Sequence, residues 1–198
     1  VLLGKAANNL PANAAAGTPA GIGNIEGLPV STNSEYGGGA TPDDNDNSGV
    51  LKYIRLEFGG YAYQIDKEIN GFTFGSVGAG TVVDYLQTSF VNDDAFEWFG
   101  GTVNAKHVVL TGISDDSLDW ASGWSGNLQF ALVVQASDEG DRIVEADNLP
   151  TDQTKKPLTA PNVSNFTFIG QSNRSAAILQ RVGVGGRLLN GVVRGSPQ

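Results

Sequence analysis

A block of six residues returns after twenty-two. Asp93-Asp94-Ala95-Phe96-Glu97-Trp98 reappears as Asp115-Asp116-Ser117-Leu118-Asp119-Trp120, and the echo continues at Gly101 and Gly123, Val108 and Phe130, Leu110 and Leu132. A fixed period of this size means stacked units, each too small to bury its apolar face except against its neighbours. Further echoes point the same way. Tyr53-Ile54-Arg55-Leu56-Glu57-Phe58 resembles Tyr85-Leu86-Gln87-Thr88-Ser89-Phe90 at a separation of thirty-two, as if one coil carried about ten extra residues in a side loop. Phe72 and Phe74 precede Phe96 and Trp98 by twenty-four.

The apolar residues decide what is stacked. Short runs such as 51–58, 71–75, 81–90, 105–111, 128–135, 163–169 and 187–193 are rich in β-branched and aromatic residues, and several alternate with period two. None sustains a helical period. The 27 glycines, with abundant Asn, Asp and Ser, supply turn conformations between them. The expected fold is all-β, a right-handed parallel β-helix of about 22 residues per coil. Leucine-rich repeats share the period, but their L-x-x-L-x-L-x-x-N pattern is absent.

Coils stack about 4.8 Å apart, so equivalent residues form columns. Three are expected to build the core: Tyr53, Tyr85 and His107; Phe72, Phe96 and Leu118; Phe74, Trp98 and Trp120. The chain of 198 residues reads as one β-helix segment, 1–198, with residues 8–48 forming a loop-rich lobe pinned by Ile25 and Leu28. It contains no Met and opens on strand-like Val1-Leu2-Leu3, which suggests a piece of a longer precursor.

With 21 acids against 12 Lys and Arg, a net charge of −9 disfavours nucleic acid and favours cations. The absence of Cys excludes disulfides, thiolate metal sites and a cysteine nucleophile. No apolar run is long enough to span a bilayer as a helix.

The segments Ser48 to Gly60, Glu68 to Gly75, Asn92 to Lys106 and Asp115 to Trp120 resemble a family of bacterial secreted or surface-attached proteins, mostly known only as hypothetical proteins or lipoproteins. Weaker likeness extends to Leu3-Gly4-Lys5-Ala6 and Ile25-Glu26-Gly27-Leu28-Pro29. The resemblance implies a parallel β-helix, an extracellular or outer-surface location on a Gram-negative bacterium, and further coils before Val1. It carries no chemistry to transfer.

The candidate site residues are therefore read from the sequence. Asp93, Asp94, Asp115 and Asp116 stack on adjacent coils, where Ca²⁺, with six to eight oxygen ligands, is the natural neutraliser; alternatively, they shape turns by accepting backbone hydrogen bonds. Asp44 and Asp46 belong to a D-x-D-x-S-G stretch like the opening of a calcium loop, but Arg55 stands where an EF-hand requires Glu. Glu97 and Asp119 form an outward acidic column, continued by Glu145 after a four-residue insertion. That column would suit a cation or, in a lyase-like enzyme, an acidic sugar held with Ca²⁺. Trp124 lies off the repeat and is expected at the surface, available to stack on a sugar. His107, the one histidine, could pair with Asp84 or Lys106, or serve only as structure.

No catalytic residues are assigned, since no Ser-His-Asp spacing, H-E-x-x-H or phosphate loop is present. The functional expectation is a structural or binding module, stabilised by Ca²⁺ and self-associating through its terminal coils, with carbohydrate as the other candidate partner. A polysaccharide-active, lyase-like enzyme is the alternative.

Overall fold

In the computed structural model, which describes residues 1–13, 15, 17–26, 28–64 and 67–197, all regular structure is β-strand. The expected lobe thus includes three positions, 14, 16 and 27, outside the described residues. After β1 (Leu2–Leu3) come two short strands of the lobe, β2 (Gly23–Asn24) and β3 (Glu35–Tyr36), which pair antiparallel. The first long strand, β4 (Val50–Glu57), precedes a side hairpin of β5 (Ala62–Gln64) and β6 (Lys67–Glu68). This hairpin is the ten-residue excess that the thirty-two-residue echo implied.

From there short and long strands alternate. The short ones are β7 (Phe72–Gly75), β9 (Phe96–Phe99), β11 (Leu118–Ala121), β13 (Val144–Ala146) and β15 (Ile178–Gln180). The long ones are β8 (Val82–Ser89), β10 (Asn104–Thr111), β12 (Asn127–Val134), β14 (Asn162–Ile169) and β16 (Arg187–Arg194). Two six-stranded parallel sheets result: β1-β7-β9-β11-β13-β15, and β4-β8-β10-β12-β14-β16. Each chain segment pairs with its equivalent one coil away, which makes the molecule a right-handed parallel β-helix.

The core lies between the sheets and is built of columns. In the first sheet Phe72 pairs with Phe96 and then Leu118, while Phe74 pairs with Trp98 and then Trp120. Their rings pack at 5.0 Å (Phe72–Phe96), 5.6 Å (Phe74–Trp98) and 6.5 Å (Trp98–Trp120). Two of the three expected core columns are therefore present.

The third faces the other way. Tyr53, Tyr85, His107 and Phe130 do stack, at 5.0, 4.4 and 4.9 Å between successive ring centroids, but on the outer surface of the second sheet. Tyr53 is 76% exposed. Each of these residues has a left-handed backbone, with φ of 56°, 56°, 50° and 62°, and Asn165 and Asn190 continue the series at 55° and 51°. A left-handed residue interrupts simple alternation. Lys52 and Tyr53 thus both face out, and Ile54, whose partner Leu86 is fully buried, resumes the inward set.

The same sheet corrects the repeat. Val108 pairs with Ala131 and Leu110 with Val133, not with Phe130 and Leu132 as the twenty-two-residue echo suggested. One extra residue in the turn between β11 and β12 shifts the register, and a one-residue shift exchanges the two faces of a strand. Phe130 consequently joins the outer stack beside His107.

The chain's beginning is laid across the coils rather than along them. Gly4 and Ala6 donate backbone hydrogen bonds to Gly75 and Ser76, Gly101 donates to Ala7, and Asn9 donates to Ser122. The Asn9 side chain then reaches Asn148 at 2.8 Å. Residues 4–9 thereby strap the turns that follow β7, β9, β11 and β13. The lobe beyond is held by Ile25 and Tyr36, both buried, and Tyr36 packs on Phe99 at 5.9 Å; Leu28 is half-buried. Gly75 makes this seating possible, because a Cβ there would lie 2.6 Å from the Tyr36 ring.

Trp98 touches Phe74, Phe96, Trp120 and Trp124 and has no exposed surface. Trp98→Ala should lower the unfolding free energy by about 3–5 kcal/mol, read from chemical denaturation. A loss below about 1 kcal/mol would show that the column is not the core.

Candidate functional site

The outer face of the first sheet carries the acids. Glu97 pairs with Asp119, and Asp119 with Glu145, as the four-residue insertion required. Beside this column runs a second one. Asp94 and Asp116 stand two residues before Phe96 and Leu118, and Arg142 stands two before Val144 in the next coil.

Asp94 Oδ1 accepts the Asp116 backbone N–H at 3.0 Å, and Asp116 Oδ1 accepts that of Arg142 at 2.6 Å. Both aspartates are buried. The turn-shaping role expected of the Asp pairs is thus realised in their second members. It occupies one carboxylate oxygen of each.

Carboxylate oxygens also converge between coils. Four sets each bring three carboxylate oxygens within 4.8 Å of one another: Asp93, Asp94 and Asp115; Asp94, Glu97 and Asp119; Asp115, Asp116 and Asp141; Asp116, Asp119 and Glu145. The column is outward from the sheet but covered in part by the side loops. Ile25 and Glu26 from the lobe and Glu68 to Asn70 from the hairpin close over Asp93, Asp94, Glu97 and Asp119, leaving a cleft of about 180 Å³. Among the described residues no Lys or Arg lines it.

Crowding of like charges shows in the acidities. Burial, and then the charges of Glu97 and Asp119, hold the Asp94 carboxyl well above the usual range. Burial followed by Asp119 does the same for Glu97, and burial followed by Asp116 for Asp119. Asp93 rises to about 6 through burial, Asp115 and Glu68; Asp116 rises to about 7, mainly through burial. Burial and Asp141 raise Asp115.

The far end of the column is answered differently. Arg181 donates to Glu145 and, at 2.7 Å, to Asp147, while Arg142 Nε lies 3.9 Å from Glu145. Protein guanidinium groups balance Glu145. Arg181 also acts on Asp119 from a distance, as a smaller effect than burial and the neighbouring acids, but among the described residues no guanidinium forms an ion pair with Glu97 or Asp119.

One neutral group bears directly on the cleft. Asn70, only 9% exposed, donates its amide N–H to Glu97 and to Thr73, while its buried Oδ1 has no hydrogen-bond partner. A buried amide oxygen left unpaired costs about 1–3 kcal/mol. All the donors around this cleft are oxygens, the set that suits Ca²⁺ or another hard cation. Nothing in the sequence marked Asn70, because its role depends on the twenty-four-residue register that places it one coil before Asp94.

The other sequence candidates lie elsewhere. Asp44 Oδ1 accepts the Ala7 N–H at 2.9 Å and Asp46 Oδ2 accepts the Ser48 hydroxyl at 3.0 Å. Neither joins a cluster of three among the described residues. Trp124, expected at the surface, is fully buried: it stacks on Trp98 at 4.4 Å and donates to the Val103 carbonyl at 3.1 Å. The turn before β12 folds it back into the core, so it presents no face to a sugar. His107 pairs with Asp84, Nδ1 to Oδ1 at 2.8 Å, on the opposite sheet from the acids.

The fold and its columns define a right-handed parallel β-helix. A family model, described as "Pectate-lyase like beta helix domain", matches residues 1–198, and the chain belongs to that family. No curated protein and no solved structure gives a significant match.

An unfolded aspartate titrates near 3.9, whereas Asp93 and Asp116 in the fold titrate at about 6 and about 7. Between these values the folded chain holds more protons than the unfolded one, so stability falls as pH rises. It is greatest below about pH 4 for these groups and lost once the pH passes about 7. In EDTA, the melting temperature should therefore fall between pH 5 and pH 8, and Asp119→Asn should flatten that slope while raising the melting temperature at pH 8. A melting temperature that climbs over this interval would contradict the assignment.

Proposed function

We propose that the protein is a secreted or surface-exposed β-helix scaffold, a structural and binding module in which Ca²⁺ ties adjacent coils to the side loops. The observation that carries this reading is the convergence of Asp94, Glu97 and Asp119 beside the unpartnered Asn70 oxygen, in a cleft lined by no cationic side chain. These four residues would hold the ion, with Asp93 and Glu26 at the rim. What the ion supplies is positive charge at a place where, among the described residues, Asp94, Glu97 and Asp119 have no ion-paired cationic side chain. The residues themselves position the site: Asp94 fixes the corner of the next coil, and Glu26, ion-paired with Lys67, brings lobe and hairpin together over the cleft.

Edge strands β4 and β16 each present one unpaired row of backbone groups. This supports self-association through terminal coils as part of the same scaffold role.

The alternative is a polysaccharide lyase. Its support is the approach of Arg142 and Arg181 to Glu145, next to the cluster of Asp116 and Asp119, since a lyase needs a basic group near its metal. Against it, Arg181 is committed to Glu145 and Asp147. Incubation with uronate polymers and Ca²⁺ should give no rise in the ultraviolet absorbance of unsaturated product; a rise would favour the enzyme.

For the scaffold, thermal melts in Ca²⁺, Mg²⁺ and EDTA are decisive. Ca²⁺ at a hundredfold excess over its Kd should add about 2.7 kcal/mol, and Asp119→Asn should abolish the response. Superimposable melts in Ca²⁺ and EDTA would remove the ion from the proposal.

A further inference from the structure

The second sheet turns to solvent a face that carries none of the acidic columns. Its six strands hold five Lys or Arg and only two acids, Asp84 and Glu57, in a chain of net charge −9. Apart from Lys106, these charges sit on β4, β8 and β16, toward the two ends of the sheet. The middle is apolar. Phe130 and Leu132 are 43% and 38% exposed, and beside the ridge of Tyr85, His107 and Phe130 runs an open groove of about 430 Å³ that Val109, Leu132 and Thr167 also line. Among the described residues no Lys, Arg, Asp or Glu lines it. An apolar centre inside a charged rim is the anatomy of a protein interface.

The face is complementary to itself. In a two-fold dimer each patch meets its own image. With the two-fold axis along the strands, between β10 and β12, the solenoids run antiparallel: β4 faces β16, β8 faces β14 and β10 faces β12. The registers then fix which residues meet. At the centre Val109 faces Leu132 and His107 faces Phe130. The rings of Tyr53 and Tyr85 face Asn190 and Asn165, the short residues of the same left-handed column.

At the rim Glu57 faces Arg194, and symmetry makes this contact twice. Arg194 forms no ion pair among the described residues, and Glu57 is held ready by Arg55 of its own strand. Lys52, Arg55 and Lys106 face Leu189, Val192 and Gln129, so no like charges meet. An axis along the solenoid, centred on the sheet, would set each strand on its own copy. Lys52 would then oppose Arg55, and Arg187 would oppose Arg194. Charge selects the antiparallel pair.

The area is adequate. Six strands about 4.8 Å apart, each of eight residues, span roughly 29 Å by 26 Å, or about 750 Å² of face per copy. Twice that lies within the range of about 1,200–2,000 Å² for stable interfaces.

We propose that two copies of the chain pair through the outer faces of their second sheets, antiparallel, as a closed dimer. The acidic faces of the first sheets then lie on opposite sides of the pair, where their charges are farthest apart. This surface is neither the cation cleft nor a terminal coil, and a closed two-fold contact cannot grow.

The test is sedimentation equilibrium of the intact chain in EDTA, so that the cation cleft takes no part, up to about 500 μM, which covers weak interfaces of this size. A species of two chains should form and growth should stop there. Leu132→Glu, at an exposed position in the interior of the sheet, should raise the dissociation constant about a hundredfold. Glu57→Arg and Arg194→Glu should each raise it about tenfold. An equimolar mixture of these two variants should recover the original affinity, since in the mixed pair each reversed charge meets an opposite one. A monomer throughout would leave the face to a different partner and overturn the proposal. Growth beyond two chains would assign the association to the terminal coils and overturn it equally. So would a dimer indifferent to Leu132→Glu, or charge variants that fail to complement each other.

Discussion

Everything in this molecule follows from backbone hydrogen bonding between one coil and the next in parallel register. Because each residue pairs with its equivalent, a chemical choice made once is repeated at a spacing of about 4.8 Å. For apolar and aromatic groups the repetition is favourable: Phe74, Trp98 and Trp120 fill the core as a continuous column. For carboxylates it is unfavourable, and Glu97 above Asp119 is the direct result of a core-forming repeat that also carries acids. The same register thus produces both the stability of the fold and the electrostatic tension on its surface.

The tension is resolved unevenly. Where the Asp94 and Asp116 column reaches Arg142, and where Arg181 folds onto Glu145, the chain balances its own charge. Two coils earlier it does not, and the lobe and hairpin come together there. A cleft whose stacked acids are only partly offset, under two side loops, is a place where something other than the chain can decide how tightly those loops are held.

Much of the architecture was legible because solenoids write their geometry into spacing. The echo from Phe96 to Leu118, the twenty-four residues from Phe72 to Phe96 and the thirty-two from Ile54 to Leu86 are all true registers. What escaped depended on single residues. The extra residue before β12 moved Phe130 outward, and left-handed bends turned the Tyr53 column to solvent although its alternation with neighbours looked regular. Trp124 seemed peripheral because it fell off the repeat, yet a turn carries it inward against Trp98. In the acidic site the carboxylates could be placed by period alone. Asn70 could not, since a neutral amide has no pattern until the structure shows which of its atoms is left without a partner.

Residues 4–9 alter how such a molecule can come apart. A solenoid whose coils contact only their neighbours loses them one at a time from an end. Here a single extended segment is hydrogen-bonded in turn to the corners after β7, β9 and β11, and its Asn9 reaches Asn148 beyond β13. Removing any one of these coils means peeling the segment from the rest. Over this stretch fraying is replaced by an all-or-none transition, so that the chain resists proteases and mechanical pull as one block rather than as a stack of separable layers.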